Sequence, residues 1–474
     1  MDTKKLRQKI LDLAIHGKLV PQDPNDEPAS VLLERIRAEK ERLVKEGKIK
    51  KSKSSRTTDT PHYENVPFEV PSSWEWCNLE DICVFLSRGK SPKYSENDRT
   101  YPVFAQKCNL KDGGISIEQA RFLDPSTVSK WDDIYKLQTG DVLVNSTGTG
   151  TVGRTRLFDV TCLGSYPFVV PDSHVSVIRT SNQINSKFIF AYISSKFIQQ
   201  YLEDNLAGST NQKELYIGVL STLRIPIPSF TEQERIVVEI EKWFALIDQI
   251  EQEKGDLQAT IKQARSKILD LAIHGKLVPQ DPNDEAASEL IQRINPAAEI
   301  ACDNGHYQNL PDGWAEIRVG DVANYINGRA FKPEEWQSIG LPIIRIQNLN
   351  DKTAPYNYSG QVFEPKFLIQ KGDLLFAWAA SLGTYIWEGE SAWLNQHIFK
   401  VEPRPIILKE YLYYVFNAMI TEFYRQSHGS GMVHITKKQF ENIILILPPL
   451  AEQKKIVDAV HDLFDKLDAI MESL

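Results

Sequence analysis

The stretch KILDLAIHGKLVPQDPNDE occupies residues 9–27 of this 474-residue chain, and the identical nineteen residues return at 267–285. The large regions between and after the two copies barely resemble each other. A chain that keeps one segment identical while its modules diverge is expected to present the same face twice to one type of partner. The repeat therefore predicts a duplicated frame that carries two variable modules with two different jobs.

The order of the repeated segments along the chain is circular. Residues 228–254 align with 448–474, and residues 1–36 align with 259–294, which leaves only 255–258 without a counterpart. The C-terminal end thus matches the first half of the central segment, and the N-terminal end matches its second half. We therefore expect the termini to lie close together, across a pseudo-two-fold axis from the centre.

The central segment is predicted to be one helix from about residue 231 to residue 274, a rod of roughly 65 Å at 1.5 Å per residue. Thr231 and Glu234 predict a capping box at its start, and Gly275, like its copy Gly17, predicts a C′ glycine at its end. We expect the terminal helices to pack against this rod, the C-terminal one antiparallel to it. The alternative is that the helices only cover the core of one large domain. A coiled-coil seam is predicted because apolar residues alternate by three and four, with Lys254 as the one polar interruption: Ile236, Ile240, Trp243, Ile247, Ile250, Leu257, Ile261, Ala264, Ile268 and Leu271.

Composition indicates a cytoplasmic protein of several domains. The hydrophobic content of 42% is ample for cores, and neither a membrane-spanning run nor a signal peptide is visible. The five cysteines fit no zinc or redox spacing, so we expect ordinary reduced thiols and no metal. The net charge of −8 means that any nucleic-acid face must be local or completed by a basic partner.

The two modules follow one plan. Each opens with a His-Tyr pair and a Pro-to-Trp turn, and each closes with a Gly-Ser turn, a helical stretch and a proline-bounded strand. Strands and helices mix without regular alternation, which predicts α+β modules. The predicted divisions are a helical region (1–45), a basic linker (46–61), module 1 (62–228), a central helical region (229–295), module 2 (296–448) and a C-terminal helix (449–474).

The chain resembles the specificity subunit of type I restriction-modification systems in three features. These are the repeated ILDLAIHGKLVPQDP segments, the segments IPIPSFTEQERIV and LPPLAEQKKIV that lead from a strand into a helix, and the stretch NSTGTGTVGR. The resemblance spans essentially the whole chain. It implies two target-recognition domains joined by long antiparallel coiled-coil helices, with each domain reading one half of a bipartite double-stranded DNA target. It also implies two methyltransferase subunits and two restriction/translocase subunits as partners. S-adenosylmethionine, ATP and Mg are then expected on those partners and no cofactor on this chain.

Catalytic interpretations of the chain are weaker. Gly148, Gly150 and Gly153 match the dinucleotide fingerprint, but the residues after them read as strands rather than as the required helix. Asn295-Pro296-Ala297 does not supply the Asn-Pro-Pro-Tyr-like motif of a base methyltransferase, and Glu364-Pro365-Lys366 lacks the acidic partner of a nuclease site. The chain is therefore predicted not to be an enzyme. The alternative function is a scaffold that binds two protein or RNA ligands without reading DNA sequence.

DNA contacts would come from polar side chains on loops of the modules, because Arg, Lys, Asn and Gln specify bases while Lys, Ser and Thr hold phosphates. Each candidate can equally be a solvated surface residue or part of an ordinary turn. In module 1 the candidates are Arg88, Lys90, Ser91, Lys93, Lys107, Asn109, Asn145, Ser146, Thr147, Thr149, Arg154, Arg156, Ser209, Thr210, Asn211, Gln212 and Lys213. In module 2 they are Asn327, Arg329, Lys332, Arg345, Gln347, Asn348, Ser381, Ser430, His434, Thr436, Lys437 and Lys438.

The identical loops after the two C′ glycines are candidate docking surfaces for methyltransferase subunits. The alternative is that they brace each helix against its module, since a brace would also recur twice. His16 and His274 are predicted to bond the last helix carbonyls rather than a metal. The predicted docking residues are Lys18, Leu19, Val20, Gln22 and Asp23, with their copies Lys276, Leu277, Val278, Gln280 and Asp281.

Overall fold

The structure is a computed structural model that describes residues 2–49, 66–148, 150–208, 213–298, 310–427 and 433–473. The chain divides into two compact units, Met1–Gln252 and Glu253–Leu474. The boundary falls inside one long helix, so each unit contains one module together with half of that helix. Both units mix helices with mainly antiparallel sheets, which confirms the predicted α+β class.

The first unit contains a terminal helical region and module 1. Its helices are α1 (Thr3–Ile15), α2 (Ala29–Lys45), α3 (Ser186–Ser194), α4 (Lys196–Asp204), α5 (Ile217–Ser221) and the start of α6 (Phe230–Ile273). Its strands are β1 (Glu75–Asn78), β2 (Cys83–Arg88), β3 (Pro102–Phe104), β4 (Arg121–Phe122), β5 (Val142–Asn145), β6 (Thr155–Leu157), β7 (Val170–Pro171), β8 (Val175–Thr180) and β9 (Arg224–Ile227). Short 3-10 turns connect several of these elements.

The second unit repeats this plan. Its helices are the end of α6, then α7 (Ala287–Ile294), α8 (Val319–Val322), α9 (Ile346–Asn350), α10 (Lys409–Ala418), α11 (Ile420–Gln426), α12 (Lys437–Glu441) and α13 (Leu450–Glu472). Its strands are β10 (Ala315–Arg318), β11 (Ala323–Asn327), β12 (Leu341–Ile344), β13 (Asn357–Ser359), β14 (Leu368–Ile369), β15 (Leu374–Ala377), β16 (Gly383–Ile386), β17 (Ala392–Leu394), β18 (Ile398–Pro403) and β19 (Ile444–Leu447).

The two modules share one sheet topology. The first and last strands of each module pair antiparallel, β1 with β9 and β10 with β19. A four-stranded sheet follows the order β2-β8-β5-β6 in module 1 and β11-β18-β15-β16 in module 2. In a second sheet of each module, β3 pairs parallel with β7 and β12 pairs parallel with β17. The divergent sequences therefore fold alike, because the pattern of buried strands is kept while the loop residues change.

The first half of α6 packs antiparallel to α1. Arg7 of α1 bonds Asp248 (2.6 Å) and Glu251 (3.1 Å), whereas the loop beyond the end of α1 reaches the start of α6. In the second unit Arg265 pairs with Asp468, whereas Gln280 beyond the end of α6 reaches Glu452 at the start of α13, so α13 runs antiparallel to the second half of α6, as predicted.

The predicted seam is correct only in part. Ile236, Ile240, Ile247 and Ile261 are buried, and Val237 joins them. Trp243 and Ile250 depart from the predicted seam, because their side chains are 41% and 39% exposed. Helices α1 and α3 form a single core with the first half of α6, and Val237 and Phe244 contribute to this core beside the buried heptad positions.

The C-terminal ends of α1 and α6 follow the sequence signals. Gly17 (φ +63°) and Gly275 (φ +65°) are left-handed, and the amide of Lys18 donates to the carbonyl of Leu13 at 2.8 Å, as in a Schellman motif. His16 Nδ1 lies 2.7 Å from the carbonyl oxygen of Asp12, and His274 repeats this contact at 2.7 Å with Asp270, as predicted.

The predicted capping box of Thr231 and Glu234 is wrong. Helix α6 begins at Phe230, and Ser229 Oγ accepts the amide of Glu232 at 3.0 Å. The cap therefore lies two residues before Thr231. Ser229 takes this role because its hydroxyl reaches the amide three residues on, which is the position that an N-cap side chain satisfies.

In each unit one buried glutamate connects the repeat loop, the start of the module and the helix that carries the glutamate. In the first unit Glu232 Oε1 accepts Nε2 of Gln22 (2.5 Å) and the indole Nε1 of Trp74 (3.0 Å). Burial raises the pKa of the Glu232 carboxyl, and the two donated hydrogen bonds oppose that shift. This glutamate ties the repeat loop, the start of the module and α6 together.

The second unit contains the same arrangement. Glu452 accepts Gln280 Nε2 at 3.2 Å and Trp314 Nε1 at 3.0 Å, and burial again raises the pKa of the carboxyl. In each copy a neighbouring ion pair reinforces the contact: Arg235 with Asp26 at 2.6 Å and Lys455 with Asp284 at 3.0 Å.

The cysteines of the described residues are ordinary thiols, as predicted. Cys77, Cys83, Cys108 and Cys162 are free, and burial raises the pKa of Cys83 to about 12. Cys302 lies outside the described residues. Within the described ranges no cluster of potential metal ligands occurs, and no helix is both long and apolar enough to span a membrane.

Candidate nucleic-acid interface

The loops at one end of the four-stranded sheet converge in the same way in both modules. In module 1 the amide of Ser146 donates to the His174 carbonyl (2.8 Å), and Leu215 donates to the Ser146 carbonyl (2.8 Å). In module 2 Trp378 donates to His397 (3.0 Å) and Ile435 to Trp378 (3.1 Å). We call each convergence a loop cluster: residues 88–93, 105–110, 145–148, 150–156, 171–175 and 213–215 in module 1, and residues 327–332, 344–350, 377–381, 394–398 and 433–438 in module 2.

A glycine permits a close approach of two backbone segments in each loop cluster. A Cβ on Gly89 would lie 2.1 Å from the carbonyl oxygen of Pro171, and one on Gly328 would lie 2.0 Å from that of Asn395. The glycine amides donate to the next strand, at 3.0 Å to Val175 and 3.0 Å to Ile398. The glycines are therefore required by backbone packing, which holds the loop after β2 or β11 against the one before β8 or β18.

Several predicted contact residues in module 1 support the loops themselves. Asn109, Asn145 and Ser146 are fully buried. Asn109 Nδ2 donates to Asn145 Oδ1 at 2.6 Å, and the hydroxyls of Ser146 and Ser176 lie 2.7 Å apart. These side chains form the polar interior of the loop cluster and do not face solvent.

Most predicted arginines of module 1 also have partners within the module. Arg88 pairs with Glu214, Arg154 donates to the Asn109 carbonyl at 2.7 Å, and Arg156 donates to the carbonyl of Gly114. Burial lowers the pKa of Arg156, and the positive charge of Arg154 adds to this effect. Lys90 lies 4.1 Å from the ring centre of Tyr135, and Lys93 pairs with Asp124 at 2.6 Å. The arginines hold loop backbone in place, so they shape the surface of the loop cluster.

Module 2 distributes its predicted residues in the same manner. Arg329 makes a two-pronged pair with Glu335 (2.8 and 2.6 Å), Asn348 is buried and donates to the Ala354 carbonyl, and Arg345 reaches the Pro355 carbonyl at 3.4 Å. Lys437 Nζ donates to the carbonyl of Tyr325 at 2.9 Å. Thr436 caps α12, while Asn327 Oδ1 accepts the Trp378 indole at 3.0 Å.

Four predicted lysines are exposed, and their ammonium groups form no ion pair with the described residues. They are Lys107 and Lys213 in module 1, and Lys332 and Lys438 in module 2. Gln347 is likewise exposed without a side-chain hydrogen bond to the described part of the chain. A free ammonium on an exposed loop is one of the groups that bind DNA phosphates. Each loop cluster therefore presents two such positive charges. Thr149, Ser209, Thr210, Asn211, Gln212 and Ser430, which the sequence also predicts to contact DNA, lie outside the described residues.

Sequence reasoning missed a histidine that occupies the same place in each loop cluster. His174 follows Asp172-Ser173 before β8, and His397 follows Asn395-Gln396 before β18. His397 has a left-handed backbone (φ +74°), and its ring lies 4.8 Å from that of Trp378. An alignment of the two modules on these tripeptides would have found both histidines.

The fingerprint-like glycines of module 1 do not lead into a helix. Gly148 and Gly153 lie in turns between β5 and β6, and β6 follows directly. A dinucleotide fingerprint requires a helix N-terminus at this place, and the structure has a strand there, as the sequence predicted.

The predicted docking loops are partly internal and partly exposed. Gln22 and Gln280 donate to the buried glutamates, and the side chains of Leu19, Val20, Leu277 and Val278 pack at the edge of the cores. Lys18 and Asp23, with their copies Lys276 and Asp281, are exposed. The identical loops thus act as braces and also leave an identical outer face in each unit.

Comparison with known proteins defines the class. Residues 71–262 and 311–474 match the type I restriction modification DNA specificity domain, and together these ranges are more than half of the chain. The specificity subunit of the type I restriction enzyme EcoAI from Escherichia coli is 30% identical over 97% of this chain and 88% of its own length. The chain therefore belongs to the type I restriction-modification DNA specificity family.

Other relatives agree with this assignment. The EcoEI specificity subunit from Escherichia coli is 27% identical over 99% of this chain and 90% of its own length. A chain from a structure of type I R-M complex assembly shares the fold with a TM-score of 0.60 at 18% identity, covering 86% of this chain and 94% of that one. The HsdS subunit from Thermoanaerobacter tengcongensis shares it at a TM-score of 0.50 and 18% identity, covering 86% and 93%.

Proposed function

We propose that this chain is the non-catalytic subunit that selects a bipartite DNA target for a type I restriction-modification complex. Each module reads one half of the target, and the helical regions fix the gap between the halves. The observation that carries the proposal is the pair of loop clusters. They share one backbone hydrogen-bond pattern but carry different side chains, for example Ser146 in module 1 where module 2 has Trp378.

The distribution of charge supports DNA reading by such loops. The chain is acidic overall, at −8, so a general basic surface does not attract DNA. Lys107 and Lys213 in one module, and Lys332 and Lys438 in the other, supply local positive charge. Phosphate contacts of this kind position a protein on the duplex, while base edges are read by the side chains between them.

The repeat supports docking of one partner type at two places. The exposed faces around Lys18 and Asp23, and around Lys276 and Asp281, have identical sequence, and each is braced by an equivalent buried glutamate. We propose that a methyltransferase subunit docks on each face and that two restriction/translocase subunits join the full complex. S-adenosylmethionine, ATP and Mg would then act on those partner subunits and not on this chain.

A methylation map tests the proposal. The chain is co-expressed with the methyltransferase subunit of its own system in a host that lacks such systems, and modified adenines are read across the genome. Two short defined blocks around a fixed undefined gap are the expected result. Methylation at one undivided motif, or none from a well-folded complex, contradicts the proposal and favours a scaffold that binds two protein or RNA ligands.

The gap provides a second, sharper test. Seven residues of helix-forming sequence are inserted beside Gly255, which lies within α6 at a place where an added Cβ would meet no atom within 4 Å. We expect the two half-sites to stay the same while the undefined gap between them changes. An unchanged gap would show that α6 does not set the spacing.

A further inference from the structure

The loop between β7 and β8 of module 1, and the loop between β17 and β18 of module 2, hold a histidine at the same structural position. The carbonyl of His174 accepts the Ser146 amide, and that of His397 accepts the Trp378 amide. In each module the loop after β5 or β15 thus lies between the histidine and the loop that carries Lys213 or Lys438. Each histidine belongs to the same loop cluster as the exposed lysines described above.

Backbone strain in module 2 is concentrated at this position. Among the described residues other than glycine, only Ala380 (φ +59°) and His397 (φ +74°) have a left-handed backbone. Ala380 replaces Gly148 (φ +102°) of module 1, so the loop keeps the same turn at an added steric cost. Residues that are held in sparsely populated conformations concentrate at ligand-binding sites. The strain therefore points to His397 and its loop as a contact site.

The two histidines leave the same ring nitrogen available. Thr147 Oγ1 lies 2.8 Å from Nδ1 of His174, whose ring is exposed. Nδ1 of His397 is buried without a partner, and the residue as a whole is half-buried. Nε2 has no hydrogen-bond partner within the described ranges in either ring. Because the other nitrogen is occupied or hidden, Nε2 is the nitrogen available to a ligand.

The residues beneath the histidine loop differ between the two modules. In module 1 the hydroxyls of Ser146 and Ser176 bond each other at 2.7 Å beneath the loop. The equivalent residues of module 2 are Trp378 and Phe399, whose rings stack at 5.8 Å. A hydrogen-bonded pair has thus been exchanged for a stacked aromatic pair at the same place. The backbone anchor of the histidine is kept, whereas the ring contacts differ: His174 meets the Thr147 hydroxyl and His397 meets the Trp378 ring.

We propose that His174 and His397 are base-reading residues, each donating from Nε2 to a purine acceptor in the major groove of its own half-site. In the major groove such a donor can be accepted by purine N7, guanine O6 or thymine O4, and N7 is the acceptor that every purine presents. The different supports under the two rings direct them to different base positions. This inference rests on the proposed function and assigns the residues that carry it out.

Burial supports the neutral state of the module 2 ring. The pKa of His397 is lowered because its imidazole is partly removed from water. A neutral ring with its proton on Nε2 donates one directional hydrogen bond, whereas a charged ring would attract any phosphate. The environment of His397 therefore favours base selection over general attraction to the duplex.

The test compares methylation maps of complexes that contain the wild-type chain, His174→Ala or His397→Asn. Asparagine tolerates the left-handed backbone at position 397, so this variant removes the ring without adding strain. We expect each variant to lose about tenfold in preference at one purine position of one half-site. The other half-site should stay unchanged, so each variant is the control for the other. Co-purification of the methyltransferase subunit and the melting temperature of each complex show that folding is intact.

The outcomes separate this inference from the proposed function. If the wild-type complex marks no split motif, the proposed function fails and the assignment of the histidines fails with it. If the wild type marks a split motif and both variants mark the same motif at the same rate, only the histidine assignment is overturned. A uniform loss at all sites would identify phosphate contacts and would also overturn it. If His397→Asn does not fold, the methylation map of His174→Ala alone tests the assignment, because His174 is exposed.

Discussion

The indole Nε1 of Trp74 donates a hydrogen bond to the buried carboxylate of Glu232 at 3.0 Å, and Trp314 donates to Glu452 at 3.0 Å in the second unit. The tryptophans begin their modules, and the glutamates lie in the first turns of α6 and α13. The contact joins each variable module to its constant helices. A change in module loops can therefore alter what is bound without altering how the module is held.

Removing the indole donor should destabilise the chain. In Trp74→Phe the carboxylate of Glu232 loses one of its two donors, and a buried acceptor that loses a partner costs about 1–3 kcal/mol. Urea unfolding followed by circular dichroism should show this loss. Trp243→Phe is the matched control, because the Trp243 side chain is 41% exposed on the helix that carries Glu232. Equal stability of the two variants would show that the hydrogen bond to Glu232 contributes nothing.

The buried glutamates should make stability depend on pH in a defined direction. Burial raises the folded-state pKa of Glu232 and Glu452 above the ordinary value of 4.5, so the folded chain holds these protons more tightly than the unfolded chain. Their stabilising contribution is complete below 4.5 and falls as pH rises through the raised pKa. The double variant Glu232→Gln, Glu452→Gln should therefore gain melting temperature relative to wild type as pH increases.

Melting curves recorded at about five pH values between 4 and 8 measure the difference in melting temperature between the double variant and wild type. Glu234→Gln serves as the control, because Glu234 is an exposed carboxylate on the same helix as Glu232. A difference between the double variant and wild type that stays flat with pH would contradict the assigned titration.

Gly17 should tolerate alanine less well than Gly47. Both are left-handed, at φ +63° and +69°, but a Cβ on Gly17 would lie 2.4 Å from Cγ of Pro71, whereas one on Gly47 meets nothing within 4 Å. Gly47→Ala should lose about 1 kcal/mol from backbone strain alone. Gly17→Ala should lose at least twice that, because Pro71 and the start of the module must also move. Chemical unfolding of both variants measures the two losses in the free energy of unfolding. Equal losses would mean that Pro71 moves away from the added Cβ at no energetic cost.

Lys438 should hold DNA without selecting its sequence. It is exposed and forms no ion pair with the described residues, so Lys438→Ala should weaken binding of the complex to all duplexes alike. The slope of log affinity against log salt should fall by about 1. Lys466→Ala on α13 is the control, because Lys466 already pairs with Asp462 at 2.6 Å. A changed methylation motif in the Lys438 variant would instead make this lysine a base contact.

The helices that flank the modules, and the ends of these helices, could be predicted from the sequence. Identical segments must fold alike in like surroundings, so the repeat at 9–27 and 267–285 predicted matching helix ends, the glycine caps and the histidine contacts to Asp12 and Asp270. Regular apolar spacing likewise predicted α6 to within about one residue at each end. These features depend on interactions within a few residues of each other, which a linear pattern records.

Which residues face outward could not be predicted in the same way. Asn109 and Asn145 have the composition of base-reading side chains, yet they are buried against each other, because residues far apart in sequence meet in the loop cluster. Trp243 fits the predicted seam but is exposed, whereas its neighbour Phe244 packs against the core that α1, α3 and α6 share. His174 and His397 stand out only when the loops around them are assembled. Burial and convergence arise from long-range packing, and no local pattern of residues specifies them.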